Sequence, residues 1–379
     1  MTETATVPNR DLAVGQGNMS WWSQADNRRC GWHNLHTIAR YVESFRAARV
    51  LPLEKRTDAS IAALESVRTL ATVPWFSAMI VIHGQHVLFE QYAADFHRDH
   101  PHSIQSITKT LMHLVIGRLV EGGVVDLSRT VAHYIPEIGS GYAAATVQQV
   151  LNMDVVNDYS EDFADPKATY YRHEEAMGWR LPRSPGTEPT EHGFLVRIAS
   201  EDTTNRTGHT DYKDANTAVL GWLAERAEGR RLRASIADIV DAAGIEGTFH
   251  ITTDREGTPT VEGGACLSAR DLARYFAIFA RQGLGVAGEK VGSGSFLAAT
   301  MSSGVPMRGS YAGMRYSNHL MIADQTVGHS GWGGQYVLAD IKTKKVGVYL
   351  SVLENQHATD EAGFMRSVIQ MLQSVTGAK

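Results

Sequence analysis

The sequence predicts an α/β (α+β) fold: an antiparallel sheet flanked by helices, with a mostly helical domain inserted into it. Two observations carry this. Strand patterns occur toward both ends of the chain, at residues 77–92 and again after 316. Between them, residues 126–251 read as helix and loop. The predicted organisation is an N-terminal part of the α/β domain over 1–130, a helical insert over 131–250, and a C-terminal part over 251–379.

Taken in order, the first 50 or so residues are irregular and rich in Asn, Arg and Trp (Trp21, Trp22, Trp32), and read as an extension packed on the body. Residues 58–71 have a helical period. Apolar runs at 77–82 and 86–92 flank His83-Gly84-Gln85, a hairpin signal. Residues 107–119 are strongly apolar and stop at Glu121-Gly122-Gly123, as a helix would. Segments 146–151, 191–200, 215–227 and 233–243 have helical patterns. The polar, aromatic stretch 154–190 is too long for a plain connection; it is functional or hides structure. A helix follows at 268–281, then strands at 316–322, 335–340 and 345–352, the last two joined by a turn at 340–344. A closing amphipathic helix spans 360–375.

Composition excludes several classes. A chain of 379 residues with 43% hydrophobic and 20% charged residues has the make-up of a globular protein. A net charge of −5, without a Lys/Arg cluster, argues against nucleic acid as a partner. The N-terminus lacks the basic and apolar regions of a signal peptide. No apolar run of about 18 residues is present, so no membrane partner is expected. Cys30 and Cys266, far apart, read as free thiols. Together these predict a cytoplasmic protein; a homo-oligomer is compatible with them.

Chemistry concentrates at Ser106-Ile107-Thr108-Lys109. On a helix, positions i and i+3 share a face, with Cβ atoms roughly 5–6 Å apart. A lysine there can take a proton from a serine, as in S-x-x-K acyl-transfer enzymes. A second reading stands beside it: Ser106 caps the helix and Lys109 is a solvated charge. The apolar helix behind favours the first, because a buried lysine is costly without a task. Tyr212, just before the apolar stretch 215–227, is the candidate proton relay. Gly328-His329-Ser330-Gly331-Trp332-Gly333-Gly334 supplies close backbone approach. An edge strand there would aim the Trp332 N–H, with that of Ser106, at an acyl oxygen.

Three other signals fail their context. The stretch His97 to His102 lacks zinc-hydrolase spacing. The glycines at 283, 285 and 288 follow a helix rather than a strand, so the dinucleotide reading fails. The sequence around Ser330 misses G-x-S-x-G because Trp332 occupies the last position.

These three boxes, in this order, resemble the serine β-lactamase and DD-peptidase superfamily, on the class C-like branch with family VIII carboxylesterases and 6-aminohexanoate-dimer hydrolase. The resemblance extends through Glu121-Gly122-Gly123, Tyr134-Ile135-Pro136-Glu137 and Gly263-Gly264-Ala265. It is most specific in Asp158-Tyr159-Ser160-Glu161-Asp162-Phe163 and Gly178-Trp179-Arg180, and covers about residues 25–375. It implies a β-lactamase/transpeptidase-like fold, with Ser106 as nucleophile, Lys109 as base and Tyr212 as relay. The N–H groups of Ser106 and Trp332 would form the oxyanion hole. His329, Gly331, Glu262, Phe163, Trp179 and Asn216 would contact substrate. No cofactor or metal is expected, and the partner is a small-molecule amide or ester.

Departures shape the expected activity. The class C pattern has Asn two places after the tyrosine; here it is Asp214, and the third box opens with His329 rather than Lys. Both weaken a β-lactam-directed reading. Phe163 stands where the nylon-oligomer group has an aromatic hydroxyl, and Glu262 where it has Asn. The reading is a serine hydrolase of small amides or esters. DD-peptidase or β-lactamase activity and a non-catalytic binding protein on the same fold are the alternatives.

Overall fold

Strands from both ends of the chain meet at the centre of one large sheet. The computed structural model describes residues 27–184, 186–353 and 361–377, so Trp21 and Trp22 lie outside the described residues. The strands are β1 (Val42–Phe45), β2 (Glu54–Lys55), β3 (Phe76–His83), β4 (His86–Tyr92), β5 (His102–Ser103), β6 (Phe249–Thr252), β7 (Ala265–Leu267), β8 (Val305–Pro306), β9 (Arg315–Ser317), β10 (Leu320–Ala323), β11 (Thr326–Gly331), β12 (Gln335–Asp340) and β13 (Lys345–Ser351). Nine form the main sheet, in the order β2-β4-β3-β13-β12-β11-β10-β9-β8. Its pairs are antiparallel except β2–β4. A four-stranded sheet, β1-β6-β7-β5, stands beside it.

Alternation along the central strands explains the layers. Ala78, Ile80 and Ile82 of β3, with Val346, Val348 and Leu350 of β13, face one core. Phe76, Met79 and Val81, with Tyr349, face the other. Successive side chains of a strand point to opposite faces. Both faces are covered here, which is why these strands read as unbroken apolar runs. The helix Ala269–Ala280 contacts β12, β13 and β3, and Glu361–Thr376 contacts β12 and β13. Among the described residues, no helix is long and apolar enough to cross a membrane. Cys30 and Cys266 are free thiols.

Several expectations are corrected. The N-terminal extension is not irregular from residue 28 on: Arg28–Ile38 is helical and β1 pairs with β6. The long polar stretch does hide structure, one of the two readings given for it: the helix Tyr170–Ala176. The single strand expected at 316–322 is a hairpin of β9 and β10. Its turn residues, Asn318 and His319, have φ of 47° and 64°. That is the left-handed pair a two-residue hairpin needs, here without the usual glycine. Finally, β11 lies inside the sheet rather than at its edge, yet β10 pairs only its first half, ending at Met321–Gly328.

Beyond that point β11 runs against the segment at 104–109. A methyl group at Gly331 would sit 2.4 Å from the Ile104 carbonyl oxygen. Only glycine permits this approach. Gly331→Ala should push the strand away and cost about 1–3 kcal/mol, read as a lower melting temperature together with loss of hydrolysis. Unchanged stability would show that the two segments are not in contact.

Buried histidines set a pH dependence. His113, His319 and His329 are buried, and burial lowers them from 6.5 to about 4, 3 and 3. Above pH 6.5 both folded and unfolded chains hold them neutral. As pH falls from 6.5 toward 3–4, only the unfolded chain takes up the protons, so stability is lost across that window. Glu174, raised by burial from 4.5 to about 7, acts with the opposite sign between those values. His113→Gln should therefore narrow the fall in unfolding free energy between pH 7 and pH 5 by about 2 kcal/mol. Urea titrations at both pH values measure this, and an unaltered difference would refute it.

Candidate active site

Ser106 and Lys109 lie on a 3₁₀ turn, Gln105–Lys109, rather than on the expected α-helix. The α-helix Thr110–Glu121 begins only after it and is buried on most sides. In a 3₁₀ turn positions i and i+3 eclipse, and Lys109 Nζ lies 2.9 Å from Ser106 Oγ. The capping reading fails: Ile104 occupies the cap position and no side chain bonds there. Gln105, just before the nucleophile, holds a left-handed φ of 48°. Strained backbone of this kind gathers at functional sites. Its side chain is fixed by a 2.7 Å bond to Ser103 Oγ.

Lys109 is fully buried, and its Nζ has three acceptors. Besides Ser106 Oγ, it donates to Asp214 Oδ1 and to the Glu262 carbonyl oxygen, each at 2.5 Å. Asp214 starts the helix Asp214–Glu228. Sequence reading treated Asp214 only as a departure from a pattern; the structure makes it the lysine's counter-charge. Its backbone N–H donates to Glu161 Oε1 at 2.5 Å.

Tyr212 is drawn into the same group. Its ring lies 5.1 Å from Lys109 Nζ, and it lines the same cavity as Ser106. Burial, then the Asp214 carboxylate, push its pKa well above the usual phenol range, so it holds its proton. Tyr316 packs edge-on against the Tyr212 ring at 5.8 Å. His329 Nε2 bonds the Tyr316 hydroxyl at 3.0 Å. His329 is therefore fully buried behind Tyr212 and does not line the cavity, contrary to the substrate-contact expectation.

The cavity over these groups holds about 460 Å³. Ser106, Gly331, Trp332, Phe163, Trp179 and Glu262 line it as expected. Asn216 does not: its side chain accepts from Tyr142 Oη at 2.7 Å and donates to the Val150 carbonyl. It braces the insert, because two places along a helix from Asp214 turn it to another face. Phe163 stacks over Trp332 at 6.4 Å and stands edge-on to Tyr170 at 4.9 Å. Trp179 Nε1 donates to Thr252 Oγ1 at 2.8 Å. Trp332 is placed by the N-terminal helix, since Trp32 Nε1 donates to its carbonyl at 3.0 Å.

Sequence reasoning missed much of the wall. Tyr170, Tyr171 and Glu174 come from the hidden helix, and Met307, Arg308, Tyr311 and Met321 from the β8–β10 region. No periodic pattern marks these loop positions. Glu161 and Glu174 stood inside segments already singled out, and their acidity was the available signal.

The cavity is strongly acidic. Glu161, Glu174, Asp214 and Glu262 line it, against one basic residue, Arg308, among the described residues. Burial, then the Asp214 carboxylate, raise Glu161 to about 8. Burial raises Glu174 to about 7 against the pull of Arg180. Glu262 is held well above the usual carboxyl range by burial and by Glu191. Its side chain turns toward His173, 3.7 Å away.

Comparison with known proteins agrees with this geometry. The β-lactamase family profile matches residues 67–369. The 6-aminohexanoate-dimer hydrolase of Paenarthrobacter ureafaciens is 31% identical over 286 residues, covering 74% of this chain and 72% of that protein. A Bacillus anthracis structure provisionally named a 6-aminohexanoate-dimer hydrolase superposes with a TM-score of 0.80 at 19% identity, covering 97% and 98% of the two chains. A D-stereospecific amidohydrolase from Streptomyces sp. superposes with a TM-score of 0.60 at 17% identity, covering 84% of this chain and all of that one. On the family match, and on the 31% identity to the Paenarthrobacter enzyme, this chain belongs to the β-lactamase family of hydrolases.

Proposed function

We propose that the protein is a cytoplasmic serine hydrolase that cleaves small linear amides through an acyl-Ser106 intermediate, with short acyl esters as side substrates. The observation that carries this is the 2.9 Å contact between Lys109 Nζ and Ser106 Oγ, with Asp214 Oδ1 2.5 Å away on the same lysine. A binding protein has no use for that arrangement at the floor of a cavity.

In this reading Lys109 first passes a proton to Asp214 and then takes the Ser106 proton as Oγ attacks the carbonyl carbon. The tetrahedral oxyanion faces the N–H groups of Ser106 and Trp332. Tyr212, beside Ser106 on the cavity and holding its proton, hands that proton to the departing nitrogen or oxygen. The phenol recovers a proton from the Lys109–Asp214 pair. Water then attacks the acyl ester along the reverse path and regenerates the serine. No step needs a metal or cofactor.

The acidic wall supports a substrate that carries an ammonium group. Glu174 Oε1 is buried without a hydrogen-bond partner, and Glu161 lines the same cavity. The homologue's name describes a dimer of an amino acid, whose free amine fits such a wall. The aromatic surfaces of Phe163, Tyr170 and Trp332 suit an apolar linker.

Three results are expected. Incubation with p-nitrophenyl butyrate should leave an acyl adduct, seen by intact mass, that is absent in Ser106→Ala; an unchanged rate in that variant would remove Ser106 as nucleophile. Asp214→Asn should lower kcat by roughly 100-fold or more with KM little changed, and full activity would remove Asp214 from the base. Acylating the free amine of 6-aminohexanoate dimer should lower kcat/KM by about 10- to 100-fold, the worth of a charged hydrogen bond.

The last effect carries a pH signature. Glu174, at about 7, is a carboxylate above that pH and neutral below it. Activity on the amine-bearing substrate should fall as pH drops through 7, while a neutral ester loses less. Parallel profiles for the two substrates would contradict ammonium recognition by this wall.

A further inference from the structure

Behind the cavity floor lies a second group that the hydrolytic reading does not use. His173 comes from the hidden helix Tyr170–Ala176, Glu191 opens the helix Glu191–Leu195, and Glu262 precedes the turn into β7. Each is fully or almost fully buried. One ligand atom from each lies within 4.8 Å of the others. His173 Nε2 is 2.5 Å from Glu191 Oε1 and 3.7 Å from Glu262 Oε1.

Glu262 is the telling member. Both of its carboxyl oxygens are buried and have no hydrogen-bond partner. A buried carboxyl group in that state is costly. Neighbouring cations are already committed: Lys109 uses its three bonds on Ser106, Asp214 and the Glu262 main chain. Arg180 is spent on Glu174. A pair of carboxyl groups and one imidazole therefore converge on a space that lacks a positive centre.

We propose that His173, Glu191 and Glu262 bind one divalent transition-metal ion of the zinc, cobalt or manganese kind. Imidazole with two carboxylates is a donor set that such ions accept. Ligands about 2.0–2.2 Å from a tetrahedral ion lie roughly 3.3 Å from one another. The two separations from His173 Nε2, 2.5 Å and 3.7 Å, bracket that spacing, and all three ligand atoms lie within 4.8 Å of one another. Glu191 has to draw back by less than about 1 Å to admit the ion. The proton shared between His173 and Glu191, and the one held by the Glu262 carboxyl, leave to solvent as the metal enters.

The surroundings already orient the ligands. Tyr159 Oη bonds the other ring nitrogen, His173 Nδ1, at 2.9 Å. Phe194 stacks on the imidazole at 4.6 Å. The Glu191 backbone N–H donates to Asp254 Oδ2 at 3.0 Å. Outer-shell bonds of this kind fix ring orientation and carboxylate direction at metal centres. Glu262 also lines the cavity. The ion would tie three wall segments together and steady the Glu262 carbonyl on which the Lys109 ammonium rests.

The test uses metal-stripped full-length protein. Equilibrium dialysis against Zn²⁺ and Co²⁺ with elemental analysis should give one ion per chain, and added Zn²⁺ should raise the melting temperature in a concentration-dependent way. Glu262→Gln and His173→Gln should each weaken binding by at least about tenfold, while Ser106→Ala binds as the wild type does. Circular dichroism checks that the variants fold. The wild type gives an independent readout, since Mn²⁺ must broaden the His173 imidazole resonances before those of exposed histidines. No bound ion at saturating metal, binding that survives in both folded variants, or broadening confined to other histidines would each overturn the proposal.

Discussion

The buried Lys109 ammonium is the constraint around which this protein is arranged. Its three acceptors come from three parts of the chain: the turn that carries it, the first residue of the insert helix, and the main chain just before β7. A charge in that position is tolerable only if each proton finds an acceptor. Removing one partner of a buried pair typically costs about 3–5 kcal/mol. The same contacts that make the lysine affordable to the fold also set it against the nucleophile. Stability and chemistry are thus served by one set of bonds.

Around it, the frame is built by close approach rather than by bulk. Gly331 lets β11 pass the nucleophile turn, and Trp332 follows directly into the cavity wall. The N-terminal helix secures that wall through Trp32. On the opposite side, the segment from Glu161 to Trp179 supplies aromatic surface and acid together. The cavity is thus walled by β11 and the 3₁₀ turn on one side and by the segment from Glu161 to Trp179 on the other.

The framework was legible in the sequence because it depends on periodicity. Strands β3, β4, β12 and β13, their hairpin turns and the helix behind Ser106 follow from patterns of two and of about 3.6. The approach of Lys109 to Ser106 was legible through their spacing. What failed was side-chain direction. Asn216 and His329 lie beside functional positions in sequence, yet each points to a neighbour in the fold. The Asn318–His319 turn went unread because its left-handed residues are not glycines. The partner of Lys109 was invisible for a plainer reason: an acid 105 positions away reaches the lysine only through tertiary structure.

The pairing of β3 with β13 has a consequence in time. A ribosome releases Ser106 and Lys109 long before it makes Gly331, Trp332 and the strands that hold them. Until β11 docks, the emerging chain carries Ser106 and Lys109 but lacks the part of the cavity wall that Gly331 and Trp332 supply. The long sequence separation of these contacts makes them late and slow to form. A chain that lacks β11 to β13 would keep Ser106 and Lys109 but lose Gly331 and Trp332, and with them part of the cavity wall.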